Sequence, residues 1–133
     1  MLLIGAGMVF FSHLIILLAP QGEPFFGYLA ISLLGVGYSL VPSAMWPSVA
    51  KIIPEKNLGT GYSLLYWIQN IGLMMIPILV GNILDKSVTD MVGAKNAEYV
   101  FVFLGAASIV VACLLVRSSR RHPDLQLDEP AKK

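Results

Sequence analysis

Four long runs of the sequence contain no Asp, Glu, Lys or Arg. They cover residues 1–22, 24–50, 57–84 and 99–116. The hydrocarbon core of a bilayer is about 30 Å thick, and about 20 apolar residues in a helix are needed to cross it. Only 13% of the 133 residues are charged, whereas soluble domains carry about a quarter. The runs therefore predict an all-α, polytopic protein with four transmembrane helices in a lipid bilayer.

The ends of the spans are marked by proline, glycine and charge. We place the spans at about residues 2–19, 25–49, 59–84 and 99–116. The connections at residues 20–24 and 51–57 contain prolines and the first charges after each run, which end one helix and begin the next. We expect residues 85–98 to form the longest loop. Residues 1–116 are then the membrane region, and residues 117–133 a polar tail.

Lys and Arg are distributed unevenly among the connections. The second connection and the tail hold seven of them, namely Lys51, Lys56, Arg117, Arg120, Arg121, Lys132 and Lys133. The third connection holds Lys86 and Lys95, and the first holds none. Because cytoplasmic loops carry an excess of Lys and Arg, this distribution predicts an integral, multi-pass protein whose C-terminus lies in the cytoplasm. It does not identify the membrane.

The two middle spans contain proline inside their apolar runs. Pro42 and Pro47 lie in the second span and Pro77 in the third. Each removes a backbone hydrogen bond and clashes with the preceding turn, so we expect these helices to bend. Irregular backbone at membrane depth is tolerated where it is buried in protein or lines an aqueous cavity. The prolines therefore mark the middle spans as candidates for lining such a cavity.

Two adjacent carboxamides, Gln69 and Asn70, lie near the middle of the third span. An amide without a partner in an apolar medium costs about 2–7 kcal/mol, so a lipid-facing position is unfavourable. Each amide either bonds a neighbouring helix or faces a polar cavity. Tyr62, Tyr66 and Gln69 share one face of a helix by their spacing. We therefore favour Gln69 for the cavity and Asn70 for a helix contact, although helix packing remains an alternative for Gln69. The candidates for the substrate cavity are Gln69, Asn70, Tyr66, Trp46 and Ser43.

The second span offers a stripe of small residues, with Gly35, Ser39 and Ser43 recurring every fourth position. Such a stripe allows another helix to approach closely, and packing is the favoured interpretation, with a cavity role for Ser43 as the alternative. Trp46 lies between the two prolines. It is either an anchor at the membrane interface or part of a cavity wall.

Other chemistry has little support in the sequence. No charged residue lies within a predicted span, so the spans supply no carboxylate for ion coupling. His13 is the one histidine there, and we favour a packing role for it; Cys113 is best explained as a small apolar residue. No catalytic, metal-binding, phosphate-binding or nucleic-acid-binding pattern is recognisable. We predict no enzyme activity, cofactor or metal.

The segment from Gly35 to Gly72 resembles the tenth helix, cytoplasmic loop and eleventh helix of a major facilitator superfamily transporter. Within that superfamily it is most similar to the group of major facilitator superfamily domain-containing protein 1. The residues that carry the resemblance are Trp46, Pro47, Pro54, Glu55, Leu58, Gly59, Thr60, the stretch Ile68, Gln69, Asn70, Ile71 and Gly72, and then Gly81, Ile83, Leu84 and Asp85.

The resemblance implies twelve helices built as two halves of inverted repeats. The four spans would be the ninth to twelfth helices, with the tenth and eleventh lining the cavity. It also implies transport of a small organic solute by alternating access, and the named group is associated with short peptides, notably dipeptides. Met1 falls inside a span, so we expect a fragment that needs the missing N-terminal helices and is inactive alone. The alternative is a self-contained four-helix scaffold or accessory subunit without transport activity.

Overall fold

The computed structural model describes residues 1–20 and 22–121, and within them the secondary structure is entirely helical. The helices are α1 (Leu2–Leu18), α2 (Pro24–Ile52), α3 (Leu58–Asp85) and α4 (Asp90–Arg121), with a short 3₁₀ turn at Glu55–Asn57 before α3. The predicted all-α fold class is confirmed for these residues. The distal part of the expected tail, residues 122–133, lies outside the described residues.

Three of the helices are long and apolar enough to cross a membrane. These candidate spans are Pro24–Ile52, Glu55–Asp85 and Asp90–Ser119. The first helix, α1, has 17 residues, or about 25 Å of helix at 1.5 Å per residue, which is shorter than a hydrocarbon core of about 30 Å. Length and composition therefore support three of the four predicted spans directly.

The connection between α3 and α4 is much shorter than predicted. The expected loop over residues 85–98 is wrong for residues 90–98, because α4 begins at Asp90. The side-chain oxygen of Thr89 accepts a hydrogen bond from the backbone nitrogen of Val92 at 3.3 Å, and Asp90 lies in the first turn. A capping hydroxyl and an acidic first turn both stabilise a helix N-terminus. At its other end α4 continues to Arg121, five residues beyond the predicted span.

The first helix, α1, packs between α2 and α4, and small residues bring the backbones together. A Cβ atom added to Gly37 on α2 would lie 3.1 Å from the Gly5 carbonyl oxygen and from the Val9 nitrogen of α1. On the other side, a Cβ atom added to Gly105 of α4 would lie 3.1 Å from the Cα atom of Phe10. The fully enclosed positions are also small, with Ser12 and Ala30 both 0% exposed. Close backbone approach at small residues is typical of helices that pack in membranes.

The third helix, α3, has no buried residue. Its large apolar side chains are exposed around the helix, including Leu64, Trp67, Ile68, Leu73, Met74, Met75, Ile78 and Leu79. Large apolar side chains that are exposed on most sides of a helix require an apolar environment there. The described residues supply little of it, so lipid or further helices must cover α3.

Candidate substrate-cavity site

The structure brings together two of the predicted site residues, Trp46 on α2 and Tyr66 on α3. Their rings stack with centroids 4.8 Å apart and an interplanar angle of 26°. Tyr62, one turn before Tyr66, contacts the same indole at 5.5 Å, and its hydroxyl donates a hydrogen bond to the Trp46 carbonyl oxygen at 3.0 Å. We call Trp46, Tyr62 and Tyr66 the aromatic cluster. It joins the last third of α2 to the first third of α3.

Local sequence explains why these rings meet. Pro54 starts the short turn between α2 and α3, and it cannot continue the preceding helix because it lacks a backbone N–H. A Cβ atom added to Gly61 would overlap the Ile53 side chain, so glycine at this position lets the start of α3 lie against the end of α2. Tyr62 and Tyr66 are four residues apart and therefore project from the same face, toward Trp46.

The two carboxamides behave differently. The Asn70 side-chain nitrogen donates a hydrogen bond to the Tyr66 carbonyl oxygen at 2.8 Å, which uses one of its two amide hydrogens within its own helix. The helix contact and the cavity role suggested for Asn70 remain predictions. Gln69 is exposed, and its amide makes no hydrogen bond within the part of the chain that the structure describes. Gln69 follows Tyr66 by three residues and so lies one turn beyond the aromatic cluster on a similar face. Of the two amides, Gln69 is the one with no hydrogen bond to its own helix, so both of its donors and its acceptor are open to another partner.

The small-residue stripe of α2 is exposed along its length. Its hydroxyls are satisfied locally, because Ser39 donates to the Val36 carbonyl oxygen at 2.8 Å and Ser43 to that of Leu40 at 2.9 Å. A Cβ atom added to Gly35 would meet no atom within 4 Å. The close contact with α1 is made by Gly37, about 200° around the helix from Gly35. The packing and cavity roles suggested for the stripe therefore remain predictions.

The three internal prolines do not interrupt their helices. The second helix continues through Pro42 and Pro47, and α3 continues through Pro77. Because proline has no N–H, the carbonyl groups one turn earlier, those of Tyr38, Ser43 and Leu73, lack their usual helical donor. The bends expected at these prolines remain predictions.

A hydrogen-bonded contact between His13 on α1 and Glu98 on α4 was not predicted from the sequence. The Nδ1 atom of His13 lies 2.6 Å from an oxygen of the Glu98 carboxylate, and the two side chains are 15% and 14% exposed. The His13 ring also stacks on Phe101, with centroids 5.0 Å apart. Glu98 had been assigned to a loop, whereas it lies within the candidate span Asp90–Ser119. The helix-capping pattern at Thr89 and Asp90 was the signal that would have placed it in α4.

An apolar cavity of about 200 Å³ lies between the end of α1 and the start of α2. It is lined by Phe11, Leu14, Ile15, Leu18, Ala19 and Phe26. Phe26 and Trp46 are 20 positions apart on α2, or about 30 Å at 1.5 Å per residue. The cavity is therefore remote from the aromatic cluster and contains none of the predicted site residues. Within the described part of the chain, no group of three or more His, Cys, Asp or Glu side chains is placed to hold a metal ion.

Comparison with known proteins gives a consistent assignment. The family model described as Major Facilitator Superfamily matches residues 1–133. The lysosomal dipeptide transporter MFSD1 of Mus musculus is 53% identical over 88 residues, which are 65% of this chain and 18% of the relative. The human protein of the same name is 50% identical over 93 residues, 70% of this chain and 19% of the relative.

The Danio rerio protein of that name is 52% identical over 58 residues, 44% of this chain and 13% of the relative. The chain thus spans about a fifth or less of the length of these curated relatives. No solved structure matches.

Proposed function

Because the chain belongs to the Major Facilitator Superfamily, we propose that it forms the C-terminal part of a transporter that moves a small organic solute by alternating access. In this proposal α1 to α4 are the ninth to twelfth of twelve helices, and the C-terminus is cytoplasmic. That the chain forms a part of such a transporter is supported by its extent, since it matches only about a fifth of each relative's length. The missing helices are the proposed partners that cover α3.

The observation that carries the proposal is the combination of an all-round exposed α3 with an unsatisfied amide at Gln69 beside the aromatic cluster. In lipid, that amide would cost about 2–7 kcal/mol without a partner. A cavity between α2, α3 and the helices of the other half gives it one. Trp46 and Tyr66 would form the apolar wall, with Asn70 and Ser43 nearby on the same two helices.

The named relatives are dipeptide transporters, and we extend that substrate class to this chain. A dipeptide carries a backbone amide, which both donates and accepts hydrogen bonds, and side chains that stack well on aromatic rings. A Gln carboxamide offers a matching donor and acceptor. Gln69 would bond the peptide unit, while Trp46 and Tyr66 contact the substrate side chain.

The test uses the complete transporter that contains this sequence, reconstituted in vesicles. Gln69→Ala should raise the KM for dipeptide uptake by about 2- to 12-fold, which corresponds to loss of one neutral hydrogen bond. Ser108→Ala is the matched control, because its hydroxyl is bonded to the Gly105 carbonyl oxygen of its own helix and because α4 does not line the proposed cavity. Equal effects of the two variants would refute the assignment of Gln69.

The 133-residue chain alone should show no saturable uptake, because four helices cannot form two gates around one site. Saturable dipeptide uptake by the chain alone would overturn its proposed role as a part of a larger transporter. A stable complex of the chain with an unrelated membrane subunit, and no uptake in either form, would instead favour a scaffold.

A further inference from the structure

The contact between His13 and Glu98 has the features of an ionisable site. Nδ1 and the carboxylate oxygen are 2.6 Å apart, a short distance for a charge-assisted hydrogen bond. We propose that the two side chains bind a proton between them and form an acid-sensitive tie that holds α1 against α4. The ligand is the proton itself. This inference concerns the packing of two helices in the described chain and does not depend on the proposed transport activity.

The pair has little other charge around it. On α4 the nearest charged side chains, Lys95 and Asp90, are exposed, and the neighbouring Tyr99 is 60% exposed. The sequence of α2 has no charged residue between positions 24 and 50, and Tyr28 at its start is 73% exposed. The α1 sequence contributes no Asp, Glu, Lys or Arg. Among the described residues, no other charged side chain lies within salt-bridge distance of the pair.

Proton accounting explains why acid should loosen this contact. A neutral imidazole beside a carboxylate carries one negative charge. With one further proton bound between them the pair has no net charge, whether it is an imidazolium with a carboxylate or a neutral imidazole with a carboxylic acid. A second proton leaves an imidazolium beside a neutral carboxylic acid, which is a part-buried cation without its counter-charge. Such a state is strongly unfavourable in an apolar contact. Protonation therefore weakens the attraction between α1 and α4.

The loosening should be confined to one end of the helix pair. The helices run antiparallel, because His13 contacts Phe101 while Phe10 contacts Gly105. The close contact at Gly105 involves no ionisable group and should persist in acid. The part of α1 beyond His13, toward the connection with α2, is the part that would separate from α4.

The test measures distances between spin labels in the 133-residue chain in lipid nanodiscs. A Cys113→Ser background removes the native cysteine, which is exposed. One label pair replaces Ile16 and Tyr99, exposed positions near the tie, and a control pair replaces Ile4 and Val110, exposed positions toward the opposite end. Between about pH 7 and about pH 4, where carboxylates begin to take up protons, the first pair should shift to longer distances and the control pair should not.

Three variants test whether the hydrogen bond between His13 and Glu98, and not helix packing alone, holds α1 against α4. Glu98→Gln keeps the shape and mimics the neutral carboxyl, so at neutral pH it should raise the ratio of separated to packed conformers by about tenfold, as expected for a lost charged hydrogen bond. His13→Phe keeps a ring on Phe101 but leaves the Glu98 carboxylate unpaired, so acid should now bring the helices together instead of separating them. The exchanged pair His13→Glu with Glu98→His should restore the wild-type acid response.

Lys95→Gln, one turn away on α4 and exposed, is the control for loss of a charge. A wild-type distance that does not change with acid, or a Glu98→Gln distance equal to wild type at neutral pH, would overturn the proposal. If the His13→Phe variant does not insert into the membrane, the Glu98→Gln and exchanged-pair measurements are sufficient to test the proposal.

Discussion

Replacing Gly37 by alanine tests how closely α1 and α2 pack. A Cβ atom at this position would lie 2.9 Å from the Cβ atom of Met8, 3.1 Å from the Gly5 carbonyl oxygen and 3.1 Å from the Val9 nitrogen. Two of these three atoms belong to the backbone and cannot move aside by rotating a side chain. The helices must therefore separate to admit one methyl group. Gly35, on the opposite face of the same helix, has no atom within 4 Å of an added Cβ and is the matched control.

The expected magnitude combines two terms. Alanine in place of glycine favours a helix interior by about 0.5–1 kcal/mol, and this gain applies to both positions. Overpacking a close contact costs about 1–3 kcal/mol, and this cost applies to Gly37 alone. Gly35→Ala should thus stabilise the chain slightly. Gly37→Ala should be less stable than Gly35→Ala by about 1–3 kcal/mol, since the shared helix term cancels in the comparison.

The measurement is equilibrium unfolding in mixed micelles of a mild detergent and SDS. Energy transfer between dyes on Ile4 and Tyr38, which are 63% and 65% exposed, reports the separation of α1 from α2. The midpoint SDS fraction should fall for Gly37→Ala and stay equal or rise for Gly35→Ala. A Gly37→Ala chain as stable as the Gly35→Ala chain would show that α1 and α2 do not approach at this glycine.

Two further predictions concern α3 and α4. Tyr66→Ala should lower the free energy of unfolding by about 0.5–1.5 kcal/mol through loss of the stack on Trp46, whereas Tyr66→Phe keeps the ring and should change it little; equal losses would contradict a role for the stack. Thr89→Ala should cost about 0.5–2 kcal/mol by removing the N-cap of α4. Hydrogen exchange should then increase over residues 90–94 and not near Phe101, and unchanged exchange at residues 90–94 would refute the capping role.

The number of helices and most of their ends could be predicted from the sequence, because uncharged runs and prolines determine them directly. The start of α4 could not, since residues 90–98 contain three charged side chains and therefore do not form an uncharged run. These residues are helical for a different reason, the cap at Thr89 and the helix-forming side chains that follow it. The misplaced start of α4 also hid the partner of His13, because a residue in a loop is not expected opposite the middle of α1.

The candidate site was predicted in part. Helical spacing correctly placed Tyr62 and Tyr66 on one face, but the spacing could not show that Trp46 stacks on them, since that contact depends on the turn around Pro54 and Gly61. For the small-residue stripe, the sequence suggested a helix contact on a face other than the one that contacts α1. Glycine and serine recur on several faces of α2, and only the position of α1 determines that Gly37 makes the contact.

Because α1 packs between α2 and α4, its two contacts form at different times during translation. His13 and Glu98 are separated by 85 positions in the sequence. At about 5–20 residues per second, a ribosome needs about 4–17 s to add that many residues. Once α2 has been made, α1 has its α2 contact but no Glu98 to pair with, so the imidazole lies beside lipid or the insertion machinery until the last helix is made. Slower translation lengthens the time that His13 spends without Glu98 in direct proportion.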